Sequence, residues 1–131
     1  VPYGTSKRPL KEQRNDNFLQ MKGNEVFKVA VKTLESIAKD SLKEVNMTSE
    51  DIDWFIPHQA NIRIIQAVSK RLNIPEKKVI ISLADHGNTS AASIPLALDQ
   101  SIREGKIKTG DTVLLQSFGA GFTWGTVIIK I

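Results

Sequence analysis

The sequence predicts an α/β layered domain with a mixed, mainly parallel sheet flanked by helices and closed by a C-terminal antiparallel hairpin. Segments with apolar residues at every third or fourth position alternate with short β-branched runs, the pattern of parallel strands joined by helices. The last two β-rich runs follow each other with only a glycine-rich turn between them, which implies the hairpin. Composition agrees: 131 residues with 40% hydrophobic and 24% charged residues suit one globular domain of ordinary make-up.

The elements follow in order. Residues 1–20 are polar, carry Lys7, Arg8, Lys11 and Arg14, and read as a loop before a domain spanning 21–131. From Asn24, Phe27, Val31, Leu34, Ala38, Leu42 and Val45 recur at helical spacing, predicting a helix that ends near Asn46. Thr48-Ser49-Glu50-Asp51 has the form of a capping box and predicts a short helical turn. Asp53 to Pro57 reads as a buried strand stopped by its proline. A second helix is expected over Asn61 to Leu72, with Ile65, Val68 and Leu72 on its apolar side. Lys78 to Leu83 reads as a strand whose β-branched residues suit a central sheet position. After the Gly87-Asn88 turn, a third helix is expected from Thr89 to Glu104, with Pro95 imposing a kink or a loosened first turn. Thr112 to Phe118 and Thr123 to Ile131 form the closing strands.

Composition also removes whole classes of chemistry. With no cysteine, the chain has no disulfide, no thiolate metal site and no cysteine nucleophile of its own. Two histidines, His58 and His86, do not make a zinc site without converging carboxylates, so no metal is expected. No apolar run nears the roughly 18 residues of a membrane span. Gly119-Ala120-Gly121 lies between strands, not before a helix, so a dinucleotide loop is excluded by context. The net charge is +4, and Arg63, Lys70, Arg71, Lys77 and Lys78 gather the basic residues around the second helix. At 100° per residue, Arg63 and Lys70 lie within about 20° of each other, opposite the apolar stripe. That face is either plainly solvated or a docking patch for a phosphorylated ligand or an acidic protein. No basic repeat or zinc finger accompanies it, so nucleic acid is not an expected partner. The chain opens on Val1 and its first methionine is Met21, which suggests a piece of something longer.

His58 directly follows a buried strand and precedes a helix, where α/β folds present ligand-binding groups. Asn88 occupies the corresponding place after the next strand. Position alone leaves two readings open. The pair could converge on one crevice, or His58 could be a satisfied structural residue beside a routine asparagine helix cap.

Four strings weigh on that choice. Ile56-Pro57-His58-Gln59-Ala60-Asn61-Ile62-Arg63-Ile64 resembles the Pro-His-Gln-Ala-Asn signature of β-ketoacyl-acyl-carrier-protein synthase III. Gly87-Asn88-Thr89-Ser90-Ala91-Ala92-Ser93 resembles that family's second signature, and Phe118-Gly119-Ala120-Gly121-Phe122-Thr123-Trp124-Gly125 its third. Gly23-Asn24-Glu25-Val26-Phe27-Lys28 resembles the start of its C-terminal half. The resemblance runs from about residue 20 to 131, with the motifs in the family's order.

The resemblance implies a thiolase-type fold of two similar halves, of which this chain is the second. It also implies a two-stage reaction. A cysteine in the other half takes an acyl group from coenzyme A, a substrate here and not a cofactor. Malonyl-acyl-carrier protein then loses carbon dioxide, and the enolate attacks the acyl-cysteine. His58 and Asn88 would donate N–H groups to the malonyl thioester oxygen. The backbone N–H of Ala120 would serve the cysteine's own tetrahedral intermediate. Phe118 and Phe122 would line the acyl pocket, although aromatics beside a glycine turn also read as plain core. Gly23, Phe27, Ala60 and Asn61 match positions along the pantetheine channel. Lys28, Gln59, Ala60, Asn61, Ile62, Arg63, Lys70 and Arg71 match the surface that receives the acyl-carrier protein. The full enzyme would be a cytoplasmic homodimer. One departure stands out: the family usually has a basic residue just before the Gly-Asn turn, where this chain has Ala84-Asp85-His86. His86 is read as structural. Two alternatives are a carrier-protein-binding domain without chemistry and half of a chalcone-type polyketide synthase, which also pairs His with Asn.

Overall fold

The computed structural model describes residues 22–131, so the loop expected over 1–20 lies outside the described residues. The elements run α1 (Gly23–Glu44), β1 (Trp54–Pro57), α2 (Ile62–Arg71), α3 (Leu83–His86), α4 (Ser93–Arg103), β2 (Thr112–Gly119) and β3 (Thr123–Lys130). The strands form one sheet in the order β1-β2-β3. β1 and β2 are parallel, and β2 and β3 are an antiparallel hairpin. Gly121 has φ +142° in the connecting turn, and a Cβ there would sit 3.1 Å from the Thr123 nitrogen. Glycine is therefore what lets the hairpin close so tightly.

Alternation along the strands sorts the core into two layers. Phe55 pairs with Leu114 in the sheet register, and both enter a core with Val31, Leu34, Ala38 and Leu42 of α1 and Val68 of α2. Their neighbours Ile56 and Val113 point to the other face, where they meet Ala97, Ile94 and Leu98 of α4. The molecule is thus α1/α2, sheet, α4. Burying both faces explains why β1 is apolar throughout. Complete burial of Phe55 contributes about 1.5–3 kcal/mol by itself.

Asparagine stops two of the helices. Asn46 (φ 54°) follows α1, with Met47 N–H donating to Leu42 C=O at 2.8 Å and Asn46 N–H to Lys43 C=O at 3.0 Å. Asn73 (φ 55°) repeats the motif after α2, with Ile74 N–H on Ser69 C=O at 2.9 Å and its own N–H on Lys70 C=O at 3.2 Å. Both are Schellman stops, in which asparagine tolerates the left-handed conformation. The expected turn after α1 forms at Ser49–Asp51, where the Asp51 carboxylate accepts the Thr48 N–H at 2.7 Å. That bond holds the Asp51 pKa below its ordinary value. Glu35 ties the two helices together, accepting from Lys39 on α1 at 2.8 Å and Arg71 on α2 at 2.7 Å.

Two expectations are corrected. Lys78 to Leu83 is not a strand. It makes one parallel bridge, Val79 to Phe55, beside an Ile80 N–H bond to Phe55 C=O at 2.9 Å. A 3₁₀ turn over Glu76–Lys78 consumes its start. At its far end, Gln59 captures the Ser82 N–H at 2.9 Å as the chain turns into α3. Ile81 between them is 45% exposed, so this is an edge and not a central position. The second correction concerns Thr89 to Glu104: Ser90–Ala92 is 3₁₀, and the α-helix starts only at Ser93. Pro95 then falls in the first α-helical turn, where a missing N–H costs no intrahelical bond. The loosened turn is present, and Pro95 causes no interior kink.

Candidate active site

The site arises where the connections part. From β1 the chain passes to α2 on one face of the sheet. From the Val79 bridge on β1's other side it passes to α4 on the opposite face. A crevice opens at the C-terminal ends of strands wherever successive connections diverge in this way. His58 stands at the end of β1, and Asn88 follows α3 beyond the Val79 bridge. Both line a single open cavity of about 810 Å³.

His58 is fixed at two points. Its N–H donates to Gln116 C=O at 2.7 Å, extending the parallel ladder by one residue. Its ring Nδ1 lies 2.6 Å from Ser93 Oγ in the first turn of α4. Burial pushes its pKa below the ordinary 6.5, leaving the imidazole neutral at pH 7 with one donor and one acceptor nitrogen. Asn88 is exposed, and its Oδ1 accepts the Ser90 N–H at 3.0 Å. That bond turns the acceptor end of the amide toward the backbone and leaves the Nδ2 hydrogens for another partner. The loops therefore bring two side-chain donors to one cavity.

The cavity also gathers Gly23 and Phe27 from the start of α1, Ala60, Asn61 and Arg63 from the start of α2, and Phe118, Ala120 and Phe122 from the hairpin. Asn61 is the N-cap of α2, its Oδ1 accepting the Arg63 N–H at 2.8 Å. The Arg63 guanidinium lies 5.7 Å from the centre of the Phe27 ring, a cation–π contact that frames one wall. The Phe118 and Phe122 rings are 5.1 Å apart between centres, and Phe118 stacks near Trp124 at 6.5 Å. Phe118 also packs on the α1/α2 core, whereas Phe122 is half exposed.

The other expected positions lie elsewhere. Lys28, Ile62 and Lys70 are exposed outside the cavity lining. Arg71 spends its charge on Glu35. Gln59 is no surface residue: it is fully buried. Its Nε2 donates to Pro57 C=O at 2.8 Å and Ile80 C=O at 3.2 Å, and its Oε1 accepts the Ser82 N–H. It ties the His58 strand end to the segment that leads to Asn88. His86 faces Gln100, at 3.3 Å, outside the cavity. Among the described residues, no cluster of three or more His, Cys, Asp or Glu side chains could hold a metal, and no helix is long and apolar enough to cross a membrane.

Two polar residues of the site were not anticipated. Ser93 was read only as a small residue for close packing, and its bond to a histidine 35 positions away leaves no local signal. Gln116 did leave one. It stands between Leu114 and Phe118 on the α1-facing side of β2, a lone polar residue on an apolar face. It is 1% exposed and donates to Leu34 C=O at 2.7 Å and to Thr126 Oγ1 at 3.1 Å.

Comparison with known proteins identifies the family and the fold. The family 3-oxoacyl-[acyl-carrier-protein (ACP)] synthase III C terminal matches residues 42–131. The β-ketoacyl-[acyl-carrier-protein] synthase III of Vesicomyosocius okutanii is 58% identical over 113 residues, 86% of this chain and 36% of its own. That of Alkalilimnicola ehrlichii is 51% identical over 130 residues, 99% of this chain and 40% of its own. The crystal structure of the Aquifex aeolicus synthase superposes with a TM-score of 0.86 at 46% identity, over 90% of this chain and 38% of that one. The chain thus spans about two fifths of the length of the curated relatives it matches, in a thiolase-type α/β fold. It belongs to the C-terminal domain family of the 3-oxoacyl-acyl-carrier-protein synthases III.

Proposed function

We propose that this chain is the part of a β-ketoacyl-acyl-carrier-protein synthase III that carries out decarboxylation, with His58 and Asn88 as its two oxyanion donors. The observation that carries the reading is that both side chains reach one cavity with an acceptor bound internally or a ring held in place, and a donor to spare. In the proposed step the bond from the malonyl α-carbon to its carboxylate breaks and carbon dioxide leaves. The electron pair moves onto the thioester oxygen. His58 Nε2–H and Asn88 Nδ2–H stabilise that charge, and being fixed beforehand they need not reorganise as it develops. The enolate carbon then attacks the acyl carbon of an acyl-cysteine, and the cysteine thiolate departs.

The cysteine must come from outside this chain, which contains none. The N-terminal half of the same enzyme would supply it, coenzyme A thioester would deliver the acyl group, and no cofactor is required. Ala120 N–H would serve the tetrahedral intermediate. Gly23, Phe27, Ala60 and Asn61 would flank the pantetheine arm, and Phe118 and Phe122 the acyl chain. The acidic carrier protein would meet the face bearing Lys28, Ile62, Arg63, Lys70 and Arg71. The complete enzyme would work as a cytoplasmic homodimer.

The test uses the complete synthase with His58→Ala or Asn88→Ala. Carbon dioxide release from malonyl-carrier protein should fall about 100- to 1,000-fold for either, while acyl transfer from coenzyme A to the cysteine persists. Parent-level release in both variants would defeat the reading.

A further inference from the structure

The His58 ring is held at Nδ1 by a serine that the proposed chemistry does not use. Ser93 is 2% exposed. Its Oγ accepts the Gln59 backbone N–H at 3.2 Å and lies 2.6 Å from His58 Nδ1. A hydroxyl has one hydrogen to give and two lone pairs to share. Gln59 occupies one lone pair. Among the described residues the only bonding partner within reach of the Ser93 hydrogen is His58 Nδ1, since no bond to the preceding turn of backbone forms. Two arrangements can then be compared. If Nδ1 carried the ring proton, two N–H groups would point at one oxygen and the buried hydroxyl hydrogen would have no acceptor. If Nδ1 is bare, Ser93 accepts from Gln59, donates to His58, and every group is satisfied. Leaving one buried donor unmade disfavours the first arrangement roughly ten- to hundredfold in population.

We propose that Ser93 is a positioning residue that donates its hydroxyl proton to His58 Nδ1 and so keeps the ring proton on Nε2, the nitrogen left to the cavity. It rests on the reading of His58 as a donor to substrate and adds the source of that donor. Without the serine a neutral imidazole divides between two tautomers, one of which turns a lone pair toward the developing negative charge. The Gln59 bond adds a second function. The backbone that follows His58 is anchored to the same oxygen, so ring orientation and strand end are fixed together, while the Gln59 side chain reaches across to Ser82 at the start of α3.

The first measurement needs no variant. Nitrogen-15 NMR of histidine-labelled complete synthase, at a pH where His58 is neutral, should show Nδ1 as a hydrogen-bonded acceptor and Nε2 as protonated. A proton on Nδ1 overturns the proposal whatever the activity. Ser93→Ala should then give a mixture of tautomers, with kcat for malonyl decarboxylation down roughly tenfold, the loss of one neutral hydrogen bond. KM should stay near the parent value, and Ser93→Thr, which keeps the hydroxyl, should recover most of the rate. Parent tautomer and parent kcat in Ser93→Ala would also overturn it. If His58→Ala leaves decarboxylation unchanged, the donor reading falls, whereas the parent nitrogen spectrum still judges the Ser93 bond on its own.

Discussion

At the scale of single residues, the site is a polar assembly built inside an apolar fold. Gln59 is one of two buried amides in it, and a buried amide left without partners costs more than it contributes. Gln59 makes three of its four possible bonds, to Pro57 C=O, Ile80 C=O and Ser82 N–H. Gln59→Ala should therefore destabilise the protein by about 3 kcal/mol, since three backbone groups lose their partner at once, and urea unfolding measures this. An unchanged midpoint would mean that water replaces the amide fully. The sequence places Gln59 inside a recognisable motif, yet the motif does not reveal which way the side chain points. The strand-end placement of His58 was legible because Pro57 marks where the strand stops, whereas Asn88 follows a single bridge and the short helix α3 and not the strand the β-branched run predicts. Their partners were not legible. Ser93 meets His58 only because α4 crosses the end of β1, a contact that no local pattern encodes.

At the scale of elements, periodicity was informative wherever a helix or strand buries one whole face. α1, α2 and the hairpin begin and end within about three residues of where their apolar spacing puts them. It failed between Lys78 and Leu83, where a run of β-branched residues is indistinguishable from a central strand until its neighbours are known. There, a 3₁₀ turn at one end and the Gln59 side chain at the other leave a single bridge. The basic face of α2 was foreseen from the helical angle alone: Arg63 and Lys70 are both exposed. Arg63 also borders the cavity, so Lys70 is the cleaner probe of the surface. In the complete synthase, Lys70→Glu should leave folding within about 0.5 kcal/mol of the parent. It should weaken carrier-protein binding at low salt, with the deficit shrinking as salt screens the charge. Normal carrier binding at low salt would reduce that face to a solvated one.

At the scale of the whole molecule, two cores back to back make the sheet self-sufficient on β1 and β2. β3 at the sheet edge and the outer side of α4 remain open. Trp124 is 51% and Val127 53% exposed on β3, and Leu96 and Ile102 on α4 are exposed as well. The cavity is open as well, and under the proposed function the nucleophile would enter it from another part of the enzyme. The four separated motifs that carry the family resemblance all contribute to the lining of this cavity: the start of α1, the end of β1, the Asn88 loop and the hairpin turn. The central claim is that Asn88 works through its N–H and not through its shape. Asn88→Asp in the complete synthase keeps the oxygen that accepts the Ser90 N–H and exchanges the donor for a negative charge. Carbon dioxide release from malonyl-carrier protein should fall at least the 100-fold or so expected for a lost oxyanion donor, with acyl transfer to the cysteine intact. Release at the parent rate would contradict the account.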